Sequence, residues 1–315
     1  MRTMLIVFAC LEAMASGQAP PPPSHVASMD AVHHPSSLPC RDLPGAATLV
    51  DRPDIPVVWV GEQHGTEEMP AFLTDLACIA STRKRPVIVA LERTEDEQPD
   101  WDRFLASDGS ASAVAALTKA PIWTLARDGR NSRAILAMAE RLRHLKQNGQ
   151  ITGVRLIDRW TGTPNDPSGN HRDEEMAQAV SDIVRARPDA LVLVYSGNIH
   201  AMKRRPAWLP ANVQNPAASY LPPAEVLSVN LIGANGEAWN CQASGCGHHL
   251  FSGESGHARS VVLVGGSGNN HPSGASEGFD ALGYTGVPTT ASPPAVPEAG
   301  SEPPVETRPI SAVIA

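Results

Sequence analysis

The sequence predicts an α/β protein with an open, mostly parallel, doubly wound sheet and helices on both faces. Three observations carry this. Short apolar runs rich in β-branched residues alternate with longer segments whose apolar residues recur at helical spacing. The apolar runs are continuous, as strands buried on both faces require. Four successive runs also stop at ionisable residues: Glu62 with His64, then Glu92, then Asp158, then His200. In open α/β sheets the carboxyl edge is where ligands bind.

The first strand is Val57-Val58-Trp59-Val60, broken by Gly61 and followed by Glu62-Gln63-His64-Gly65. Residues 69–80 are apolar at helical spacing through Phe72, Leu73, Leu76 and Ile79. A second buried strand, Val87-Ile88-Val89-Ala90-Leu91, ends at Glu92; residues 96–105 and 112–119 form short helices. Residues 132–147 form a longer one, with Ile135, Leu136, Met138, Ala139, Leu142 and Leu145 inward and Asn148-Gly149 closing it. The third strand, 153–157, stops at Asp158, and 161–169 is a loop rich in Gly, Pro, Asn and Ser. A helix over 172–187 leads to the fourth strand, 190–195, and to Gly197-Asn198-Ile199-His200. Further strands are expected at 226–232 and 261–264. One domain over 40–264 follows.

The excess of Pro and Gly lies at the ends of this 315-residue chain. Residues 1–19 read as a secretory signal peptide: one positive charge, a short apolar core and small residues. Val7-Phe8-Ala9-Cys10 is a poor lipoprotein box, so an anchor at Cys10 is the lesser reading. Residues 20–39 form a Pro-rich linker, and 265–315 a disordered Gly/Pro-rich tail. No run is apolar and long enough to span a membrane. A net charge of −8 without a basic stripe gives nucleic-acid binding little support. Cys40, Cys78, Cys241 and Cys246 allow two disulfides, Cys40–Cys78 and Cys241–Cys246, in a periplasmic or secreted setting. A zinc knuckle of Cys241, Cys246, His248 and His249 is the alternative. The sequence leaves oligomeric state open.

Together, Gly61-Glu62-Gln63-His64-Gly65-Thr66, Ala90-Leu91-Glu92, Arg172-Asp173-Glu174-Glu175-Met176-Ala177 and Gly197-Asn198-Ile199-His200-Ala201 resemble one superfamily: the ChaN-like haem-binding lipoproteins, erythromycin esterases and Tiki/TraB proteins. The resemblance covers about 57–203, and Asp128-Gly129-Arg130-Asn131-Ser132 is similar to uncharacterised ChaN-like members. These relatives bind haem, hydrolyse a lactone or act as metal-dependent proteases, so the resemblance implies fold more firmly than activity.

Glu62, His64, Glu92, Arg172 and His200 are the candidate catalytic residues. A histidine beyond a buried strand can act as general base on water or as a metal ligand, and Glu62 can orient it or share the metal. Glu92 matches a site glutamate of the superfamily. Arg172 matches the arginine of its third motif, where a guanidinium can fix a carboxylate or stabilise an oxyanion. Glu68, Asp158 and Asn198 are candidate binding residues; Glu68 reads equally as a charge favoured in a first helical turn. Glu62, His64, Glu92 and His200 are the candidate ligands of a divalent metal. His171, His248, His249, His257 and His271 read as loop histidines.

No Gly-x-Ser-x-Gly elbow occurs, and no cysteine sits beside a motif histidine. The leading expectation is a hydrolase-like protein acting on a small-molecule or peptide substrate. The alternatives are a haem or iron binder with His64, His200 or Tyr195 as axial ligand, and a non-catalytic scaffold.

Overall fold

The computed structural model describes residues 39–159, 171–211, 213–264, 274 and 276–296. The expected signal peptide, nearly all of the Pro-rich linker, the loop 161–169 and His271 lie outside the described residues.

In chain order the elements are α1 (Ala47–Val50), β1 (Val57–Glu62), α2 (Glu68–Ser81), β2 (Val87–Thr94), α3 (Gln98–Ala106), α4 (Ala111–Leu117), α5 (Ile122–Leu125), α6 (Arg133–Gln147), β3 (Gly153–Asp158), α7 (Arg172–Ala186), β4 (Leu191–Gly197), α8 (Asn198–Ala201), β5 (Val226–Ala234), β6 (Gly236–Gln242), β7 (Gly245–Phe251), β8 (Ser260–Leu263) and β9 (Ala281–Pro288). Seven strands form one open sheet in the order β3-β2-β4-β1-β5-β9-β8. Every pairing in it is parallel except β8 with β9.

Alternation along each central strand divides the core in two. Val58, Val60, Val89, Leu91, Leu193 and Tyr195 face one layer, with Phe72 and Leu76 of α2 and Met138 and Leu142 of α6. Val57, Trp59, Ala90, Val192 and Val194 face the other, with Met176 and Val180 of α7. Continuous apolar strands are thus buried on both faces, as the sequence predicts. Helix α6 starts where the Ser132 side chain accepts from the Ile135 N–H, an N-cap.

The structure corrects the boundary of the tail. The sequence stretch expected to be disordered from residue 265 contains β9, which lies inside the sheet between β5 and β8. Two glycines and a terminal proline in Ala-Leu-Gly-Tyr-Thr-Gly-Val-Pro give it little strand propensity of its own. Its neighbours supply the pairing that its composition does not. The chain then turns back across the strand ends: Glu67 N–H donates to Thr290 O, Ser292 N–H to Gly65 O and Ala295 N–H to Asn131 O.

Both expected disulfides are present, Cys40–Cys78 and Cys241–Cys246, as suits an oxidising compartment. The second sits on a β6–β7 hairpin that replaces the expected small loop, with Cys241 directly opposite Cys246. The bonded sulfurs overturn the zinc knuckle. Strand alternation also sends His248 and His249 to opposite faces of β7. Among the described residues, no helix is long and apolar enough to cross a membrane.

Candidate active site

Parallel register brings the strand ends together. Glu62 ends β1 level with Gly197 of β4, and Leu91 of β2 is level with Tyr195 of β4. Because side chains alternate, Glu62 projects toward the α2/α6 layer and Glu92 toward the α7 layer. His64, two residues past Glu62, rises over the edge between them. Gly65 has φ of 85°, and a Cβ there would lie 1.8 Å from Trp239 O of the hairpin. Only glycine lets the chain turn there and approach β6 so closely. Gly61 likewise admits the backbone of α8, since a Cβ would lie 2.7 Å from Asn198 Cα.

The polar cluster is built on two carboxylates. Glu62 is 3% exposed, and each of its oxygens has a partner. Oε1 lies 2.7 Å from His64 Nδ1, and Oε2 accepts from the Tyr195 hydroxyl. Glu92 is also buried. Its Oε2 accepts from Gly197 N–H at 2.7 Å and lies 3.8 Å from His64 Nε2. Its Oε1 takes Arg172 Nη2 at 2.6 Å and Arg130 Nη1 at 3.3 Å, with His200 Nε2 at 3.7 Å.

Arg172 ties the α7 side together. It donates to Asp158 through Nε and Nη2, the latter at 2.6 Å, and its Nη1 lies 3.1 Å from His200 Nε2. His200 Nδ1 in turn lies 2.7 Å from Asp173 Oδ1. An arginine can only donate, so His200 Nε2 accepts and Nδ1 carries the proton toward Asp173. Both imidazoles and Glu92 sit against Gly197: a Cβ there would meet His64 Nε2 at 3.2 Å, His200 Cδ2 at 3.5 Å and Glu92 Oε2 at 3.6 Å.

Charge and burial set the protonation states. Burial alone would lower the His64 pKa, but the hydrogen bond and charge of Glu62, joined by Glu92, raise it above the ordinary value. Burial alone would raise Glu92; the charges that His200 and His64 carry when protonated, together with those of Arg172 and Arg130, instead hold it well below the usual carboxylate range. Desolvation and the charges of Glu62 and Glu92 push Tyr195 well above its ordinary value, so it remains a donor. Arg172 and Arg130 are both raised against the effect of burial, and stay charged.

Glu62, His64, Glu92, Arg172, His200 and Asp158 therefore converge, although they come from five separate segments. Asn198 stands beside them at the start of α8, its Cα against Gly61. Glu68 is directed elsewhere: its carboxylate accepts from the Thr290 N–H at 3.0 Å, a clamp on the returning chain. Three contributors were not assigned a role from sequence. Arg130, held by Asp128 at 2.8 Å, lies in the Asp128–Ser132 motif, and Asp173 in the Arg172–Ala177 motif. Tyr195, expected only as an axial ligand of haem or iron, donates to Glu62. Gly197 acts through its backbone.

A divalent metal does not fit this donor set. Both oxygens of Glu62 are engaged by donors, and those of Glu92 face two guanidinium groups that repel a cation. Among the described residues, no group of three His, Cys, Asp or Glu side chains is placed to hold a metal ion. The cavity beside His64, lined by Glu62, Glu92, Arg130, Met138 and Tyr195 among others, measures about 20 Å³. That is room for about one water. A larger groove of about 410 Å³ runs along β3 and α7 and includes none of the cluster.

No family model matches the chain, and no curated protein matches it. Solved structures do. A mutant of erythromycin esterase EreC, in its open conformation, is 12% identical with a TM-score of 0.54, covering 79% of this chain and 93% of that one. A protein from Bacillus cereus matches with a TM-score of 0.53 at 12% identity, covering 79% and 92%. Haem-bound ChaN of Campylobacter jejuni is more distant, with a TM-score of 0.37 at 14% identity over 64% and 89%. Across some four-fifths of its length, this chain has the α/β fold of the erythromycin esterase EreC.

Proposed function

We propose that the protein is an exported hydrolase that uses His64 to activate water against an ester or lactone carbonyl of a small molecule. One observation carries this reading. His64 has a buried carboxylate on Nδ1 and an Nε2 that no hydrogen bond occupies among the described residues, its side chain keeping 22% of its surface exposed. A carboxylate on Nδ1 fixes the tautomer with the lone pair on Nε2, the form a general base needs.

In this reading Nε2 takes a proton from a water seated between His64, Glu92 Oε2 and Gly197. The water oxygen attacks the carbonyl carbon, and the negative charge on the carbonyl oxygen is stabilised by Arg130, whose side chain is 25% exposed. When the C–O bond breaks, the leaving alkoxide takes the proton from His64, giving acid and alcohol. Arg172, Asp158 and the His200–Asp173 pair hold Glu92 in place. The fold shared with an esterase agrees with this chemistry, and the two disulfides agree with export.

The test is hydrolysis of a panel of esters and lactones by the purified full chain after exhaustive chelation, in ¹⁸O-enriched water. The reading expects turnover that chelation leaves intact, with one labelled oxygen in the acid product. Absence of turnover across the panel, or turnover abolished by chelation and restored by a divalent metal, overturns it.

A further inference from the structure

We propose that Tyr195 is a positioning residue for the His64 base, acting through Glu62. The inference rests on the reading of His64 as a base and extends it one residue deeper into the sheet. Glu62 carries two acceptor oxygens at the end of a strand, inside the apolar layer of Leu91, Ile135 and Met138. A carboxylate held only by His64 would be free to rotate about its terminal bond and to leave one buried oxygen without a donor. The Tyr195 hydroxyl removes both freedoms. It donates to Oε2 while Oε1 faces His64 Nδ1, so the plane of the carboxylate is fixed by a contact on each side. Register makes this possible. Tyr195 of β4 lies level with Val60 of β1, and both face the α2/α6 layer, so the phenol reaches diagonally to Glu62 two residues further on.

The hydroxyl also tunes the charge that His64 feels. A donor on Oε2 draws electron density from the carboxylate and weakens the pull of Oε1 on the imidazolium. The other charged groups facing His64 are Glu92, from β2, and Arg130 and Asp128, from the loop before α6. Among the described residues Tyr195 hydrogen-bonds none of these, and it meets Glu92 only through charge. Its removal therefore acts on the base chiefly through Glu62. With the donor gone, the buried carboxylate holds a proton on the Glu62–His64 pair more tightly, and the base form of His64 appears only at higher pH.

The experiment compares the full chain with Tyr195→Phe and with 3-fluorotyrosine placed at 195, a more acidic and hence stronger donor. The His64 titration is followed by NMR in each, alongside the pH dependence of ester kcat/KM. Phenylalanine should move the His64 midpoint and the acid limb of the profile upward. The result at pH 6 would be a kcat/KM lower by about threefold to tenfold with KM little changed. Fluorotyrosine should move both the opposite way. The two shifts of opposite sign separate tuning from packing, since both side chains keep the ring that fills the core. An unmoved His64 midpoint in both variants, or equal displacements of the same sign, overturns the proposal. The NMR titration needs no substrate, so a failure of the hydrolase reading would show separately, as titrations that behave as stated in a protein without turnover.

Discussion

Replacing Glu62 with glutamine probes the pair on which catalysis depends. Glutamine matches glutamate in size, so the layer of Leu91, Ile135 and Met138 stays filled. It presents one acceptor where Glu62 presents two, and both neighbours, His64 Nδ1–H and the Tyr195 hydroxyl, approach as donors. One of the two must lose its acceptor or reverse. A charge-assisted hydrogen bond contributes about 1.5–3 kcal/mol. Its loss at the base corresponds to a drop in kcat/KM of about tenfold to 150-fold.

The pH dependence carries a sign as well as a size. Glu62 is the leading cause that raises His64, so the acid limb of kcat/KM should move to lower pH in Glu62→Gln. Stability follows the same linkage. A histidine whose folded pKa is raised contributes stability below its unfolded value, about 6.5, and loses it as pH rises through the folded value. Wild type should therefore lose an increment of stability above about pH 6.5 that the variant lacks. The assays are pH–rate profiles and urea unfolding across pH 5–9. An acid limb that stays put, with kcat/KM within about twofold of wild type, would refute the assignment of Glu62 to His64.

Other predictions use the same geometry. Glu92→Gln leaves Arg172 and Arg130 without their shared buried carboxylate and should destabilise by about 3–5 kcal/mol, read from urea midpoints at constant m. Because Glu92 is held well below its usual range, its stabilising contribution is present above the ordinary carboxylate value and is lost as pH falls through the folded one; acid unfolding of wild type should show this, and that of Glu92→Gln should not. Replacing Cys40 and Cys78 by serine opens a loop spanning 38 residues, with an expected loss of about 4 kcal/mol on the chain-entropy estimate and a lower melting temperature by calorimetry. Gly65→Ala places a Cβ against Trp239 O at a backbone angle alanine resists. It should reduce kcat/KM far more than Gly149→Ala, also at positive φ but with open space around it.

Much of the fold was legible because its central strands are buried on both faces and so advertise themselves as unbroken apolar runs. Val57–Val60 and Val87–Leu91 leave no alternative to β structure between helices of clear period. What their strand ends share was legible too, since parallel strands deliver their last residues to one edge. The weaker elements were hidden for a physical reason. The composition of β9, with Gly283, Gly286 and Pro288, reads as loop, and only its place between β5 and β8 makes it a strand. In the β6–β7 hairpin, Gly245 at a φ of 112° closes the turn beside Cys246, a short link that sequence reads as a disulfide loop, with a metal knuckle as the alternative. Arg130 and Asp173 lie within recognisable motifs, yet their roles depend on loops meeting strands that sequence order does not place. Glu68, singled out for its resemblance to an acidic position of the superfamily, opens α2, and its carboxylate reaches the returning chain at Thr290.

The most direct test of the central claim is ester hydrolysis by His64→Gln, with its fold verified by far-UV and near-UV circular dichroism. If His64 is the water-activating base, kcat should fall by about 10²–10⁴ with KM nearly unchanged and with the acid limb of the pH profile abolished. A variant that keeps wild-type kcat and the same acid limb would show that the water is activated elsewhere.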